Sequence, residues 1–143
     1  MSSLLIISSQ IHKDLSKKQL AHCEALVKKS SHDYQIEVAS TGIYEIPFII
    51  NAYHQKNCFD GYIALGLVLK TDPDHYQYLT SHIQDCFTAF ALNNIAVGNG
   101  IVSGASLAEL TSKIESKDPC TSGYHAAFNA VDYLVKLKEN LSL

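Results

Sequence analysis

No apolar stretch in this 143-residue chain approaches the roughly 20 residues that a membrane-spanning helix needs. Met1–Ile7 has no basic region ahead of its short apolar run, so no secretory leader is read there and a cytoplasmic location is expected. Positive charge is scarce as well: 11 Lys and Arg against 14 Asp and Glu leave a net charge of -3. A phosphate backbone is usually met by a basic field, so a general nucleic-acid partner is not expected, and a small molecule fits better. Cys23, Cys58, Cys86 and Cys120 form no C-x-x-C pair, and the seven histidines include no H-E-x-x-H, so no metal is expected. Neither G-x-G-x-x-G nor G-x-x-x-x-G-K-[ST] follows any apolar run, which removes dinucleotide and nucleoside-triphosphate binding. Linkers, repeats and low-complexity stretches are also missing, so residues 1–143 are read as one domain. An apolar share of 47% with a mean hydropathy of +0.03 places that domain among ordinary globular proteins.

What is present is an alternation of short apolar runs with amphipathic segments. Leu4–Ile7 reads as a buried strand with a polar exit at Ser8-Ser9-Gln10, and Leu15–Lys29 as a helix closed by two lysines. Tyr34–Ala39 alternates as a strand, Thr41-Gly42 breaks it, and Pro47 suits the first turn of a helix running to about His54. Tyr62–Leu69 is apolar on both faces, as a central parallel strand must be. Lys70–Asp74 reads as a polar loop, followed by a long helix carrying Tyr76, Leu79, Ile83, Phe87 and Phe90 up to Asn93-Asn94. Ile95–Val102 is a fourth strand containing Gly98 and Gly100, Ser106 and Glu109 form a capping box, and a last helix spans about Tyr124–Glu139. The fold expected is α/β: a three-layer αβα sandwich around a four-stranded parallel sheet. Ligands then belong at the carboxyl ends of the strands, near 8–11, 40–45, 70–75 and 99–104.

Several residues there suit chemistry, and each also has a plain structural reading. His75 stands just beyond the central strand and suits proton transfer near neutral pH, but a lone histidine equally decorates a helix start. Gly98, Gly100 and Gly104 serve either close packing or ligand approach. Lys113 and Lys117 share a face able to meet an anion, or are solvated surface lysines.

Three blocks, taken in order, choose among these readings. They are Thr41-Gly42-Ile43-Tyr44-Glu45-Ile46-Pro47, then Gly61–Lys70 followed by His75-Tyr76-Gln77-Tyr78, then Gly100–Glu109 continuing to Lys113 and Lys117. Their order and spacing resemble the 6,7-dimethyl-8-ribityllumazine synthase family over nearly the whole chain. The resemblance implies a flavodoxin-like fold and a transferase of riboflavin biosynthesis. The implied reaction condenses 5-amino-6-(ribitylamino)uracil with 3,4-dihydroxy-2-butanone 4-phosphate through an imine, phosphate loss and ring closure, without metal or organic cofactor. It also implies a homo-oligomer, either a pentamer or a pentamer-based shell, with sites between subunits, and riboflavin synthase as a candidate partner. By position, His75 is then the proton carrier. Tyr44 and Glu45 match positions that hold the pyrimidine and ribityl parts, with Gly42 and Ile43 beside them in the binding set. Val68, Leu69, Lys70, Thr71 and Asp72 complete that set at the central strand end and phosphate loop, and Lys113 matches a phosphate-pairing cation that is usually arginine.

The chain also departs from the family pattern. Thr71-Asp72 replaces a small pair whose backbone N–H groups bind phosphate, and a carboxylate there repels an anion. Ser9, Gln10 and Ile11 occupy the region of a stacking aromatic, and Asn99 replaces another near strand four. Gln77 stands in for an acidic residue, and one extra residue falls around Pro119–Ser122. These changes keep open an alternative: a catalytically lapsed member that binds a flavin-like small molecule or serves as an assembly scaffold. An unrelated flavodoxin-like signalling or interaction domain fits the block order poorly.

Overall fold

The computed structural model describes residues 2–143. Four strands, β1 (Ser3–Ser9), β2 (Asp33–Ala39), β3 (Gly61–Leu69) and β4 (Ala96–Gly104), pair in the order β2-β1-β3-β4, every pair parallel. Between and after them run α1 (Lys13–Lys28), α2 (Ile46–Gln55), α3 (Pro73–Leu92), α4 (Leu107–Ile114), a single turn α5 (Pro119–Ser122) and α6 (Tyr124–Asn140). A 3-10 turn, Ile43–Glu45, leads into α2.

Side-chain alternation along the central strands builds the three layers. Leu5 and Ile7 of β1 with Tyr62, Ala64 and Val68 of β3 point to one face, where Ile46 and Ile50 of α2 and Ile83 and Phe90 of α3 cover them. Leu4 and Ile6 with Ile63 and Leu65 point the other way, onto Cys23 and Val27 of α1 and Ala127, Val131 and Val135 of α6. Farther along that second face, Leu67 and Val102 meet Leu110 and Ile114 of α4. With helices on both faces, the middle of β1 and nearly all of β3 are apolar, and every residue from Leu4 to Ser9 and from Gly61 to Val68 is buried. No helix among the described residues is long and apolar enough to cross a membrane.

The glycines of β4 prove to be packing glycines. A Cβ on Gly98 would overlap the Ala127 carbonyl of α6, one on Gly100 would press on Leu65, and one on Gly104 would lie 3.2 Å from Leu110. Their lack of a side chain lets α6 and α4 approach the edge strand, and its ladder with β3 continues to Leu69–Gly104, so the strand runs past Val102. The long helix also begins earlier than its apolar periodicity indicates. Asp72 and Pro73, read above as loop, are the cap and the first turn of α3.

Strand order fixes where a ligand can sit. From β1 the chain steps one way to β2 and then the other way to β3 and β4, so the sheet changes direction between β1 and β3. The loops leaving the carboxyl ends of those two strands diverge to opposite faces and leave a crevice.

Candidate active site

A cleft of about 390 Å³ opens at that crevice. Its floor is Ser9 from the end of β1 and Leu67, Val68 and Leu69 from the end of β3. One wall is the 3-10 turn with Gly42, Ile43, Tyr44 and Glu45; the other is Thr71 with His75 and Leu79 of α3, and Ile11 and His12 close the β1 side. Nine residues singled out from sequence thus share one cavity: Ile11, Gly42, Ile43, Tyr44, Glu45, Val68, Leu69, Thr71 and His75.

The turn is held in place from beneath. Ile43 is 3% exposed and sits over Gly66 of β3, where a Cβ would collide with it. Ser9 Oγ donates to the Thr41 carbonyl at 3.0 Å, tying the approach to the turn back to β1. With Ile43 and Ile46 buried on one side, Tyr44 and Glu45 between them are turned outward, and both are exposed.

His75 owes its position to the α3 cap. Asp72 Oδ1 accepts from Asp74 N at 3.1 Å and from His75 N at 3.3 Å, which starts the helix and puts His75 in its first turn, exposed at the cleft mouth. The same cap has an electrostatic consequence. Free N–H groups at a helix start are a natural seat for an anion, but here an internal carboxylate takes two of them, and Asp74 adds a second negative charge in the first turn.

Five further residues singled out from sequence lie outside the cleft lining, and each is engaged elsewhere. Gln10 donates through Nε2 to Ser8 Oγ at 3.3 Å. Asp72 is the cap just described. Asn99 Oδ1 accepts from Ile101 N at 3.0 Å on β4. Lys70 holds its ammonium 5.1 Å from the Tyr76 ring centroid, a cation–π distance. Lys113 donates to the Ser103 carbonyl at 2.7 Å and lies 3.5 Å from Glu109 Oε1.

Glu109 is the hub of this second group. Its Oε2 accepts from Ala105 N at 2.6 Å while Ser106 Oγ accepts from Glu109 N at 3.1 Å, a capping box displaced by one residue from the usual pairing. The Ala105 N–H, then Lys113 and Lys70, hold the Glu109 carboxyl below its ordinary value. An ammonium has three protons to donate, so with the Ser103 carbonyl and Glu109 satisfied Lys113 keeps one for a ligand. Lys117 lies past the end of α4 and takes no part in this network.

Charge divides the two groups. The cleft lining contains one carboxylate, Glu45, and two imidazoles, His12 and His75, but no lysine or arginine. It can accept hydrogen bonds from hydroxyls, hold a flat ring against Tyr44 and move a proton through His75; by itself it offers an anion no permanent cation. Sequence reasoning covered Ser9 within the 8–11 stretch but did not mark His12, Leu67 or Leu79 as lining residues. The shared end of the parallel strands could also have signalled Leu67.

Comparisons with known proteins return one family. The family model for 6,7-dimethyl-8-ribityllumazine synthase matches residues 2–138. A protein of that name from Novosphingobium aromaticivorans is 25% identical over 142 residues, covering 99% of this chain and 100% of its own. A second, from Jannaschia sp., is 29% identical over 68% of this chain and 54% of its own. A third, from Erythrobacter litoralis, is 25% identical over 72% of this chain and 73% of its own.

Proposed function

The chain belongs to the 6,7-dimethyl-8-ribityllumazine synthase family, and from that premise we propose that it catalyses the family's condensation of 5-amino-6-(ribitylamino)uracil with 3,4-dihydroxy-2-butanone 4-phosphate. The observation that carries the proposal is the meeting of the Gly42–Glu45 turn and His75 around one cleft at the sheet's change of direction. Forming an imine, expelling phosphate and closing a ring needs chiefly two reactants held in line and a group that passes protons between them. Tyr44 offers a face for the pyrimidine, and the Glu45 carboxylate accepts from ribityl hydroxyls. His75, at the mouth, moves protons as the amine attacks and phosphate leaves.

The phosphate needs a cation that the lining lacks. We propose that Lys113 supplies it, from a second copy of the chain in a homo-oligomer whose sites lie between subunits, with Asn99 on the same contributed edge. Pentamer-based assembly in the cytoplasm, with product handed to riboflavin synthase, is the working arrangement.

A second reading has one observation in its favour: the Asp72 carboxylate occupies the α3 N–H groups that a phosphate would use. A member without catalysis would still bind a flavin-like ring and ribityl chain in the cleft. Absorbance at the lumazine band, followed with both substrates, separates the two. The synthase reading expects turnover above the uncatalysed mixture and a loss of at least about tenfold in His75→Ala. A wild type no faster than the uncatalysed mixture, yet binding riboflavin, would establish the second reading.

A further inference from the structure

Tyr44 is held by a residue outside the cleft lining. The imidazole of His82 lies parallel to the Tyr44 ring, with centroids 3.9 Å apart and planes 16° from coplanar. His82 Nε2 is also 3.1 Å from the Tyr44 carbonyl oxygen. A carbonyl only accepts, so Nε2 carries the proton in this bond and Nδ1 of the neutral ring is left as an acceptor. Cys86 Sγ stands 3.8 Å from Nδ1, and burial followed by the nearby Asp85 pushes that thiol up, keeping its S–H available to donate. One tautomer of His82 therefore satisfies both neighbours while its ring backs Tyr44.

The placement on α3 follows from helix periodicity. His75, Leu79, His82 and Cys86 recur at helical spacing along the face turned toward the 3-10 turn, so one stripe carries both the cleft-mouth histidine and the histidine behind Tyr44. Burial cannot be what holds the Tyr44 side chain, because it is 57% exposed. Its backbone is gripped by the His82 bond and one ring face by the His82 imidazole, while the residue still borders the cleft. A ring ordered before the ligand arrives loses less rotamer freedom on binding. Tyr44 is also the one phenyl-type ring in the lining, so a planar ligand finds its largest stacking surface there.

We propose that His82 is a positioning residue, which fixes Tyr44 as a stacking platform for the planar heterocycle of the ligand. The inference rests on the synthase or flavin-like binding reading of the cleft. It is tested by titrating riboflavin, a planar ring with a ribityl chain, into the wild-type chain and into His82→Ala, His82→Phe and His82→Gln, with thermal melts alongside. His82→Ala is expected to raise Kd about three- to tenfold, and in the lumazine assay to raise KM for the pyrimidine with kcat little changed. His82→Phe keeps the stack and His82→Gln keeps a donor to the carbonyl, so each is expected to recover part of the loss. They also report if His82→Ala fails to fold. A role in stability alone would lower the melting temperature of His82→Ala and leave its Kd at wild type, which overturns the inference while the reading of the cleft stands. A wild type that neither binds riboflavin nor forms lumazine above the uncatalysed mixture overturns both.

Discussion

At the carboxyl end of the sheet, the wall made by the 3-10 turn and the start of α3 can be set against the edge made by the ends of β3 and β4 with α4. The first is open. Tyr44, Glu45 and His75 are exposed around a cavity, and their side chains are free to meet a ligand. The second is closed on itself: Lys70 lies on Tyr76, Lys113 on the Ser103 carbonyl and Glu109, and Asn99 on its own strand. The open half can bind rings and hydroxyls and pass protons, whereas the closed half holds the lysines. Chemistry that needs a phosphate held beside a proton carrier requires both, and neither Lys70 nor Lys113 lines the cleft that holds His75. Sites shared between copies are a direct way to join them.

The largest effect that would sharpen this contrast is expected from Lys113→Ala. If its spare proton meets the phosphate, kcat/KM should fall roughly ten- to a hundredfold, the range for a hydrogen bond to a charged group, mostly through KM for the butanone phosphate. An unchanged KM would remove Lys113 from the site. Gly66→Ala probes the open half from beneath. Its Cβ must displace the buried Ile43 and with it the turn, so a stability loss of about 1–3 kcal/mol is expected from overpacking, with KM for the pyrimidine raised. Thermal melts and steady-state kinetics measure both, and a variant normal in both would show that the turn is not seated on β3.

Asp72→Asn tests the boundary between the halves. Asparagine caps a helix as well as aspartate does, so stability should change by less than about 1 kcal/mol. Removing the negative charge should lower KM for the butanone phosphate several-fold; a raised KM would mean that the carboxylate helps the substrate. The smallest effect concerns Glu109. Its folded value is depressed, so its contribution to stability is present above its unfolded value and lost as pH falls through the folded one. Glu109→Gln should therefore melt at nearly the same temperature as wild type in strong acid and slightly lower near neutrality. Parallel melting curves across that range would remove the network around α4.

Much of this was legible in the chain itself. Tyr62–Leu69 could only be a doubly covered strand, Pro47 sat at the first turn of α2 as its fixed φ favours, and Ser106 with Glu109 marked the start of α4. Less visible was the start of α3, because Asp72-Pro73-Asp74 has the composition of a loop and of a capped helix start alike. The one-turn α5 was hidden for the same reason, since Asp118-Pro119 likewise suits a loop or a capped helix start. The Gly42–Glu45 turn and His75 were identified as site candidates, and the structure brings them together. No periodicity could foretell that Tyr44 would lie on His82, since that contact spans 38 residues and depends on how α3 packs over the turn.

The most direct test of a site divided between copies is complementation. His75→Ala and Lys113→Ala chains, each weakly active alone, are mixed unfolded, assembled together and assayed for lumazine formation. The account predicts activity well above either parent, approaching roughly a quarter of wild type under random mixing of neighbours in a ring. A mixture no more active than the average of its parents would place His75 and Lys113 in the same chain's site, or outside a common site altogether, and would contradict it.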